Sequence, residues 1–245
     1  MKHIKTLKWD GLQASIGLDD QFCTIAYEQP ARSLSSAVLS GGFSEIRRVL
    51  NLKVQANPES IKMTDRTSWD PPEKTLSDFI SDNGWSGPAA GMMTSALMES
   101  FRFSERNEAW GGVFCALTAG ISNARAAGDE ADFLPEVKGV QLPTGTINIM
   151  IGTNAALSDA ALAEALMIAT EAKTAVLFKY GVISTLSGSP ATGTGTDSII
   201  VSSGSGPKAD FCGKHTKLGQ LIGETVSEAL CSSVEYLIER GFATL

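Results

Sequence analysis

The sequence predicts one α+β domain over residues 1–245, in which a mixed, largely antiparallel sheet carries two long helices packed on it. Short strand patterns follow one another through the first half of the chain. In the second half, helical patterns at about 158–180 and 216–240 come after strands. No linker rich in proline, glycine or serine divides the chain, so a single domain is expected.

The first half reads as a strand meander with one short helix. Asp10-Gly11 is a good hairpin signal between two of its strand patterns. The strand patterns lie at 3–9, 12–17, 22–27, 46–54 and 111–117. Residues 74–83 fit a short helix that ends at Gly84. The polar stretches 55–72 and 127–140 are predicted to be loops.

Capping and strand signals organise the second half. A glycine-led apolar run at 145–151 reads as a buried strand. Ser158 then offers an N-cap hydroxyl to an alanine-rich helix that continues to about Tyr180. The remaining predicted elements are strands near 182–186, 198–201 and 208–212, and a last helix that starts at Thr216.

One residue of the first long helix is out of place. At about 100° per residue, Lys173 lies near the centre of an apolar stripe. The other members of the stripe are Leu162, Leu166, Ala169, Val176 and Leu177. A lysine in this position must extend to solvent, form an ion pair, or do chemistry in a pocket. From the sequence alone, Lys173 can have either a structural or a functional role.

A glycine–threonine loop at 188–197 feeds the strand at 198–201. Gly193 and Gly195 permit a close approach of the backbone to another group, and Asp197 lies where loop becomes strand. Threonine hydroxyls alternate with these glycines. The pattern fits an ordinary tight loop with a local Asp197 turn bond, and it equally fits a ligand-binding loop with one carboxylate.

Composition excludes several classes of function. The net charge of −7 and the scattered basic residues argue against a nucleic-acid partner. Charges interrupt the N-terminal residues where a signal peptide needs an apolar core, and no run approaches the roughly 20 apolar residues of a membrane span. The four cysteines have no paired spacing, so we expect reduced thiols, a cytoplasmic location and no membrane insertion. The oligomeric state stays open, a homo-oligomer included.

Familiar catalytic motifs are absent from the sequence. Gly213-Lys214 precedes a helix, but Lys208 stands where a phosphate loop needs its first glycine. No dinucleotide fingerprint and no nucleophile elbow occurs at a strand-to-helix turn. The two histidines, His3 and His215, have no partners at zinc-ligand spacing, so no metal site is predicted.

Several segments together resemble the adenosylcobinamide amidohydrolase family. They are Gly145–Asn148, Ala169–Lys173, Ala191–Asp197 and Gly213–Gly219, preceded by Leu34–Gly42 and Thr118–Ala124. The resemblance runs from about Leu34 to the last helix. One departure is Ser40, which precedes the first glycine pair where the family pattern commonly has asparagine.

The resemblance implies that the substrate is adenosylcobinamide, a corrinoid fringed with neutral amides. The implied reaction hydrolyses the amide of its aminopropanol arm to adenosylcobyric acid and aminopropanol, in cobalamin salvage. It implies no cofactor of the protein's own, because the cobalt is carried by the substrate.

Candidate residues follow from this chemistry. Amide hydrolysis needs an activated nucleophile, a stabilised oxyanion and a proton for the departing amine. We expect Asp197 to be the base for water, Lys173 to stabilise the oxyanion or donate a proton, and His215 to be a second acid or base, all in one cleft. Glu171 ranks lower because it lies opposite Lys173 on the helix. Neutral groups that suit the amide-fringed substrate are Ser35, Ser36, Thr118, Asn123, Asn148, Thr194 and Thr196, and the segment Gly91-Met92-Met93 could line an apolar groove.

Two alternative functions remain. Gly145-Thr146-Ile147-Asn148, followed by a helix and a glycine-rich polar loop, also resembles self-processing aminopeptidases of the DmpA type, in which chain cleavage exposes a serine or threonine nucleophile. The non-enzymatic alternative is a corrinoid-binding protein without turnover.

Overall fold

A single mixed sheet forms the centre of the molecule in the computed structural model, which describes residues 1–54, 71–109, 111–131 and 145–242. In the described residues this sheet has nine strands. They are β1 Lys2–Trp9, β2 Leu12–Leu18, β3 Phe22–Ser35, β4 Gly42–Lys53, β5 Ala89–Thr94, β6 Arg102–Glu108, β7 Gly111–Ala119, β9 Ile147–Thr153 and β12 Ser198–Ser203. Two short pairs lie beside it: β8 Ala124–Arg125 with β11 Gly193–Thr194, and β10 Ala156–Leu157 with β13 Lys208–Ala209.

The strands are ordered β1-β2-β3-β12-β9-β7-β6, while β4 pairs with β3 and β5 pairs with β4. Within this sheet β9–β12 and β4–β5 are parallel pairs, and the other described pairs are antiparallel. An irregularity between Ala26 and Ala31 divides β3, so that its first part pairs with β2 and its second part with β12. The predicted meander therefore holds for β1 to β4, and the parallel β5 departs from it.

Three α-helices cover the sheet in the described chain: α1 Pro72–Asp82, α2 Asp159–Lys179 and α3 Lys217–Glu239. The helices α2 and α3 pack against each other and on β7 and β12. Their apolar side chains join Leu117, Ile149 and Val201 of the sheet in one buried cluster. Phe114, Met150 and Ile200, which alternate with those residues, belong to a second cluster on the other face. Because β7 and β9 are buried on both faces, their sequences read as continuous apolar runs.

Side-chain caps fix where the long helices begin. Ser158 Oγ accepts a hydrogen bond from Ala161 N at 3.1 Å, and Thr216 Oγ1 accepts one from Gly219 N at 3.0 Å. The predicted α+β class is confirmed, and both long helices lie within one residue of their predicted bounds. The shorter α1 is a third helix, in addition to the two long ones, and it confirms the short helix predicted at 74–83.

The strand predicted near 182–186 is wrong. The hydroxyl of Ser184 accepts hydrogen bonds from the backbone N–H groups of Leu186 and Ser187, and Ser184 N donates to Ser189 O. These local hydrogen bonds hold the segment in turns. In a strand, the same backbone groups would have to bond to a neighbouring strand. The predicted strand at 208–212 is reduced to the two residues of β13. The predicted loops at 55–72 and 127–140 fall largely outside the described residues.

Among the described residues, none of the helices combines the length and the apolar content needed to cross a bilayer.

Candidate active site

Strand ends from distant parts of the chain meet at one edge of the sheet. The parallel strands β9 and β12 begin side by side there, with Asn148 opposite Ser198. β7 ends at the same edge, with Ala119 opposite Ile147, and β3 ends with Ser35 opposite Ile200. The glycine–threonine loop precedes β12, so it is held directly over this edge. Most of the residues predicted to form a site therefore lie within a small region.

An ion pair joins α2 to this loop. Lys173 Nζ donates to Asp197 Oδ2 at 2.5 Å, and the two side chains are only 8% and 11% exposed. Lys173 lies on the buried face of α2, as its apolar stripe predicted. Of the alternatives that the sequence left open for Lys173, the structure shows the buried ion pair, and the residue also lines a cavity.

The carboxylate of Asp197 is surrounded by donors. Oδ1 accepts hydrogen bonds from Ile147 N at 2.9 Å and from the Thr194 hydroxyl at 2.5 Å. Besides Lys173, Oδ2 accepts one from Thr194 N at 3.1 Å. A carboxylate offers about four lone-pair sites, and four donors occupy them. A water molecule can reach Asp197 only by displacing one of these donors, which changes the expected role of Asp197 as a direct base for water.

Gly193 is required by the close approach of the ion pair. A Cβ atom at this position would overlap Asp197 Oδ2 and lie 2.7 Å from Lys173 Nζ. Any larger residue would therefore push the ammonium and carboxylate groups apart. The close backbone approach expected at Gly193 is to the protein's own ion pair, and Asp197 forms the local turn bonds to Thr194 that the sequence also allowed.

Two cavities open on either side of Asp197. The larger cavity, of about 560 Å³, is lined by Arg125, Thr170, Lys173, Thr174, Thr192 and the loop from Gly193 to Asp197. The smaller cavity, of about 280 Å³, is lined by Ser36, Val38, Met92, Met93 and Thr146 among others. Thr196 and Asp197 belong to both linings, so the carboxylate stands where the cavities meet. A further cavity of about 430 Å³, near Trp9 and Ser205, includes none of the predicted site residues.

The predicted binding residues separate into two groups. Ser36, Thr194 and Thr196 line the cavities. Ser35 is buried at the end of β3, where its hydroxyl accepts a hydrogen bond from Ala37 N at 3.4 Å. Asn123 is 6% exposed, and its Oδ1 atom has no hydrogen-bond partner in the described chain.

Thr118 and Asn148 lie beneath the cleft instead of lining it. Both are fully buried. Asn51 Nδ2 donates to Thr118 Oγ1 at 2.9 Å, and Asn148 Nδ2 donates to Asn51 Oδ1 at 2.7 Å. Asn148 also donates to Met93 O at 2.8 Å. Their polar groups are thus used to tie four strands together (β4, β5, β7 and β9), so in this structure they support the site without facing a ligand.

His215 is not brought to this cleft. It is exposed, and its ring lies against Gly213 on the side of α2 that carries Glu164. Glu164 and Lys173 are nine residues apart, which places them on nearly opposite faces of the helix. Lys214 Nζ pairs with Glu171 at 2.5 Å, and Glu171 also faces away from Lys173. The expected convergence of three groups is therefore wrong for His215, and Lys173 meets Asp197 without it.

Two contributors to the site were not identified from the sequence. Thr146 Oγ1 donates to Thr196 O at 2.8 Å and so ties the start of β9 to the loop. Asp129 accepts hydrogen bonds from the hydroxyls of Ser184 and Ser187 and from Ala126 N. The hydrogen bond from the Ser184 hydroxyl is the main cause that lowers the pKa of Asp129 below its ordinary value, so this carboxylate stays ionised. Through its bond from Ala126 N, Asp129 fixes the cavity wall at Ala126. Contacts of this kind between irregular loops leave no periodic signal in a sequence.

Within the described residues, no three His, Cys, Asp or Glu side chains come together in an arrangement suited to a metal ion.

A family model described as adenosylcobinamide amidohydrolase matches residues 10–240 of the chain. Two relatives carry the name adenosylcobinamide amidohydrolase. The one from Methanosarcina mazei is 28% identical over 212 residues, which is 82% of this chain and 88% of the relative. The one from Halobacterium salinarum is 30% identical over 181 residues, 72% of each chain. An uncharacterized protein of Methanocaldococcus jannaschii is 40% identical over 136 residues, which span 50% of this chain and about half (52%) of that relative.

Similar solved structures are more distant. A protein from Pyrococcus horikoshii OT3 aligns with a TM-score of 0.46 at 12% identity, covering 95% of this chain and 83% of that one. A beta-aminopeptidase from Burkholderia sp. aligns with a TM-score of 0.41 at 11% identity, covering 90% and 80% of the two chains.

Proposed function

Because the chain belongs to the adenosylcobinamide amidohydrolase family and is an amidohydrolase, we propose that it hydrolyses the amide that joins the aminopropanol arm of adenosylcobinamide to the corrin. The products are adenosylcobyric acid and aminopropanol. The reaction would serve corrinoid salvage, since adenosylcobyric acid retains the corrin and can be rebuilt into cobalamin.

The observation that carries this proposal is the buried pair of Lys173 and Asp197 at the junction of two cavities. Amide hydrolysis needs a group that accepts the proton of the attacking hydroxyl and later returns it to the leaving amine. We assign that role to Asp197. The ammonium group of Lys173 orients the carboxylate, and its positive charge favours negative charge that develops on the substrate oxygen nearby.

The two cavities match the polar and the apolar parts of the proposed substrate. Hydroxyl-bearing side chains of the larger cavity, including Thr174, Thr192 and Thr194, can exchange hydrogen bonds with the neutral amides around a corrin. Val38, Met92 and Met93 give the smaller cavity an apolar wall, as expected from the methionines in the sequence. We assign the reacting amide to the boundary at Asp197, because groups on both sides can be held there at once.

The proposed substrate carries its own cobalt, and we propose that the protein contributes no further cofactor. The net charge of −7 agrees with a neutral or cationic small-molecule substrate and disfavours nucleic acid.

Incubation of the purified protein with adenosylcobinamide tests the proposal. We expect adenosylcobyric acid and aminopropanol to form in equal amounts, measured by chromatography of the corrinoid and of the amine. A protein that binds the corrinoid tightly but releases no aminopropanol would be a binding protein. Two fragments on a denaturing gel, cut before a serine or threonine, would instead indicate a self-processing amidase.

A further inference from the structure

The hydroxyl group of Thr194 has the surroundings of an activated nucleophile. On the premise that the chain hydrolyses the amide named above, we propose that Thr194 Oγ1 attacks the amide carbonyl carbon and forms a covalent ester with the corrin acyl group. Water then hydrolyses this ester. The reaction would thus run through an acyl-enzyme, and water would not attack the amide directly.

The first support is the contact between Thr194 and Asp197. The Thr194 hydroxyl donates to Asp197 Oδ1 at 2.5 Å, and the other oxygen of the same carboxylate holds Lys173 Nζ at 2.5 Å. A hydroxyl, a base and a third group that orients the base form the arrangement found in enzymes with covalent intermediates. Asp197 is buried, so its attraction for the hydroxyl proton is weakened little by solvent.

The second support is that Thr194 is held rigidly at the cavity. It lies in β11, which pairs with β8 so that Thr194 stands opposite Ala124. Its own backbone N–H donates to Asp197 Oδ2 at 3.1 Å. The residue is partly buried and lines the larger cavity. Backbone pairing on one side and the carboxylate on the other fix the position of Oγ1, as a nucleophile requires.

Other hydroxyls of the two cavities are used differently. Thr196 Oγ1 donates to Gly145 O, and Thr174 Oγ1 donates to backbone carbonyl groups. Ser36 Oγ accepts a hydrogen bond from Ile199 N at 3.1 Å. Ser184 and Ser187 contact a carboxylate, that of Asp129, but they are not part of the lining of either cavity. The side chain of Thr194 both lines a cavity and contacts a buried base.

The occupancy of Asp197 gives a third support. Its four lone-pair sites are filled, and one of the four donors is the Thr194 hydroxyl. A water molecule can use this base only after displacing a donor. The proton that Asp197 is already placed to accept is that of Thr194.

Donors for the developing oxyanion follow Thr194 in the chain. The backbone N–H groups of Gly195 and Thr196 donate to no group among the described residues. At Gly195 a Cβ atom would meet only Asn123 Nδ2, at 3.7 Å, so the backbone is open on that side. Free N–H groups beside a nucleophile can stabilise the negative oxygen of a tetrahedral intermediate.

The steps balance without a co-reactant other than water. As the bond from Thr194 Oγ1 to the carbonyl carbon forms, the hydroxyl proton moves to Asp197. The bond from carbon to nitrogen then breaks, and Asp197 returns the proton to the nitrogen, so that aminopropanol leaves. Water gives a proton to Asp197 and attacks the ester carbon, and Thr194 Oγ1 regains that proton as the acid is released.

Hydroxylamine partitioning with the whole protein and adenosylcobinamide tests this inference. Water and hydroxylamine would attack the same acyl-enzyme. The ratio of corrinoid hydroxamate to adenosylcobyric acid should therefore rise in proportion to the hydroxylamine concentration, while the rate of aminopropanol release levels off. Aminopropanol release that grows in proportion to hydroxylamine, or no hydroxamate at all, would show that no acyl-enzyme forms.

Variants of Thr194 provide the second arm. T194V keeps the shape of the side chain but removes the hydroxyl, and we expect a loss of at least about 1,000-fold in turnover, whereas T194S should stay within about 10-fold of the unmodified protein. T6V, at an exposed position on the edge strand β1, is the matched control and should leave turnover unchanged. Thermal unfolding checks that each variant is folded. If folded T194V keeps a tenth or more of the turnover, the nucleophile is not Thr194. If the unmodified protein gives no product, the proposed function itself fails.

Discussion

Lys173 and Asp197 form a buried ion pair that joins α2 to the loop before β12. Burying each ion costs several kcal/mol, which mutual attraction offsets only when the geometry is good and the remaining lone pairs are satisfied. Three further donors on Asp197 provide that satisfaction.

Removal of the lysine charge should be costly for stability. In K173M the Asp197 carboxylate stays buried without its cation, so we expect the free energy of unfolding to fall by about 3–5 kcal/mol. K173M/D197N, which removes both charges, should regain part of this loss without regaining activity. Urea unfolding measures both.

K179M on the same helix is the control. Lys179 is exposed, so its replacement should change the free energy of unfolding by no more than about 0.5 kcal/mol. If K173M were as stable as K179M, the ion pair would contribute nothing to the folded state.

At the residue scale, sequence patterns could locate some groups and not others. Lys173 was conspicuous because a charge interrupted an apolar stripe. His215 was misplaced because a loop before a helix has no periodicity that tells where its side chains point. Thr118 and Asn148 were correctly placed at strand ends, but their use by Asn51 depends on a strand that is 67 and 97 residues away in the chain.

At the scale of elements, α3 is anchored by close packing at its first turn. A Cβ atom on Gly219 would overlap the carbonyl oxygen of Gly213 and lie only 2.5 Å from that of Cys212. On Gly223, one turn later, a Cβ atom would meet Ile168 at 3.8 Å, an ordinary contact. Of these two glycines, only Gly219 is required by close packing.

The two glycines should therefore respond in opposite directions to the same change. G219A should lower the melting temperature, because backbone atoms must move. G223A should raise the free energy of unfolding by about 0.5–1 kcal/mol, because alanine is the better helix former. Thermal and urea unfolding give the comparison, and a G219A protein as stable as G223A would mean that the loop at Cys212 does not constrain the helix.

Local signals sufficed for the helix ends and not for pairing. Ser158 and Thr216 could be identified as caps because a cap involves residues three apart. The parallel pairing of β5 with β4 has no comparable signal, since it depends on residues about 40 positions apart. The turns at Ser184 replaced a predicted strand because hydroxyl contacts competed with strand hydrogen bonds.

At the scale of the whole molecule, the reactivity of the cysteine thiols depends on how the core is packed. Cys23, Cys115 and Cys212 are fully buried free thiols, whereas Cys231 is partly exposed. Burial raises the pKa of the Cys23 and Cys212 thiols to about 12, with Glu164 adding to the shift at Cys212. Thiolate is the reactive form, so these groups stay protonated and unreactive near neutral pH.

A thiol reagent such as DTNB at pH 8 should therefore modify one cysteine per folded chain, Cys231, and all four after denaturation. C231S should abolish the fast reaction, with mass spectrometry of the labelled peptides as the check. Rapid labelling of Cys23 or Cys115 in the folded protein would contradict the packing of the two faces of the sheet.

The fold class was predictable because patterns of period 2 and 3.6 are local. Strand order was not, since β3 lies between β12 and β2 through contacts that span more than 160 residues. The cleft depends on this order, because it brings the ends of β3 and β7 beside the starts of β9 and β12. The presence of Lys173 and Asp197 in one cleft could be proposed from the sequence, but their ion pair and the two cavities around it could not.

The most direct test of the central claim measures adenosylcobyric acid formation by the unmodified protein and D197N, with D78N as the matched control. Asp78 is an exposed carboxylate on α1 that pairs with Lys74. We expect D197N to lose at least about 1,000-fold in turnover per folded molecule, since it cannot accept a proton, and D78N to keep full turnover. Turnover by folded D197N within 10-fold of the unmodified protein would contradict the claim that the ion pair at the junction of the two cavities carries the reaction.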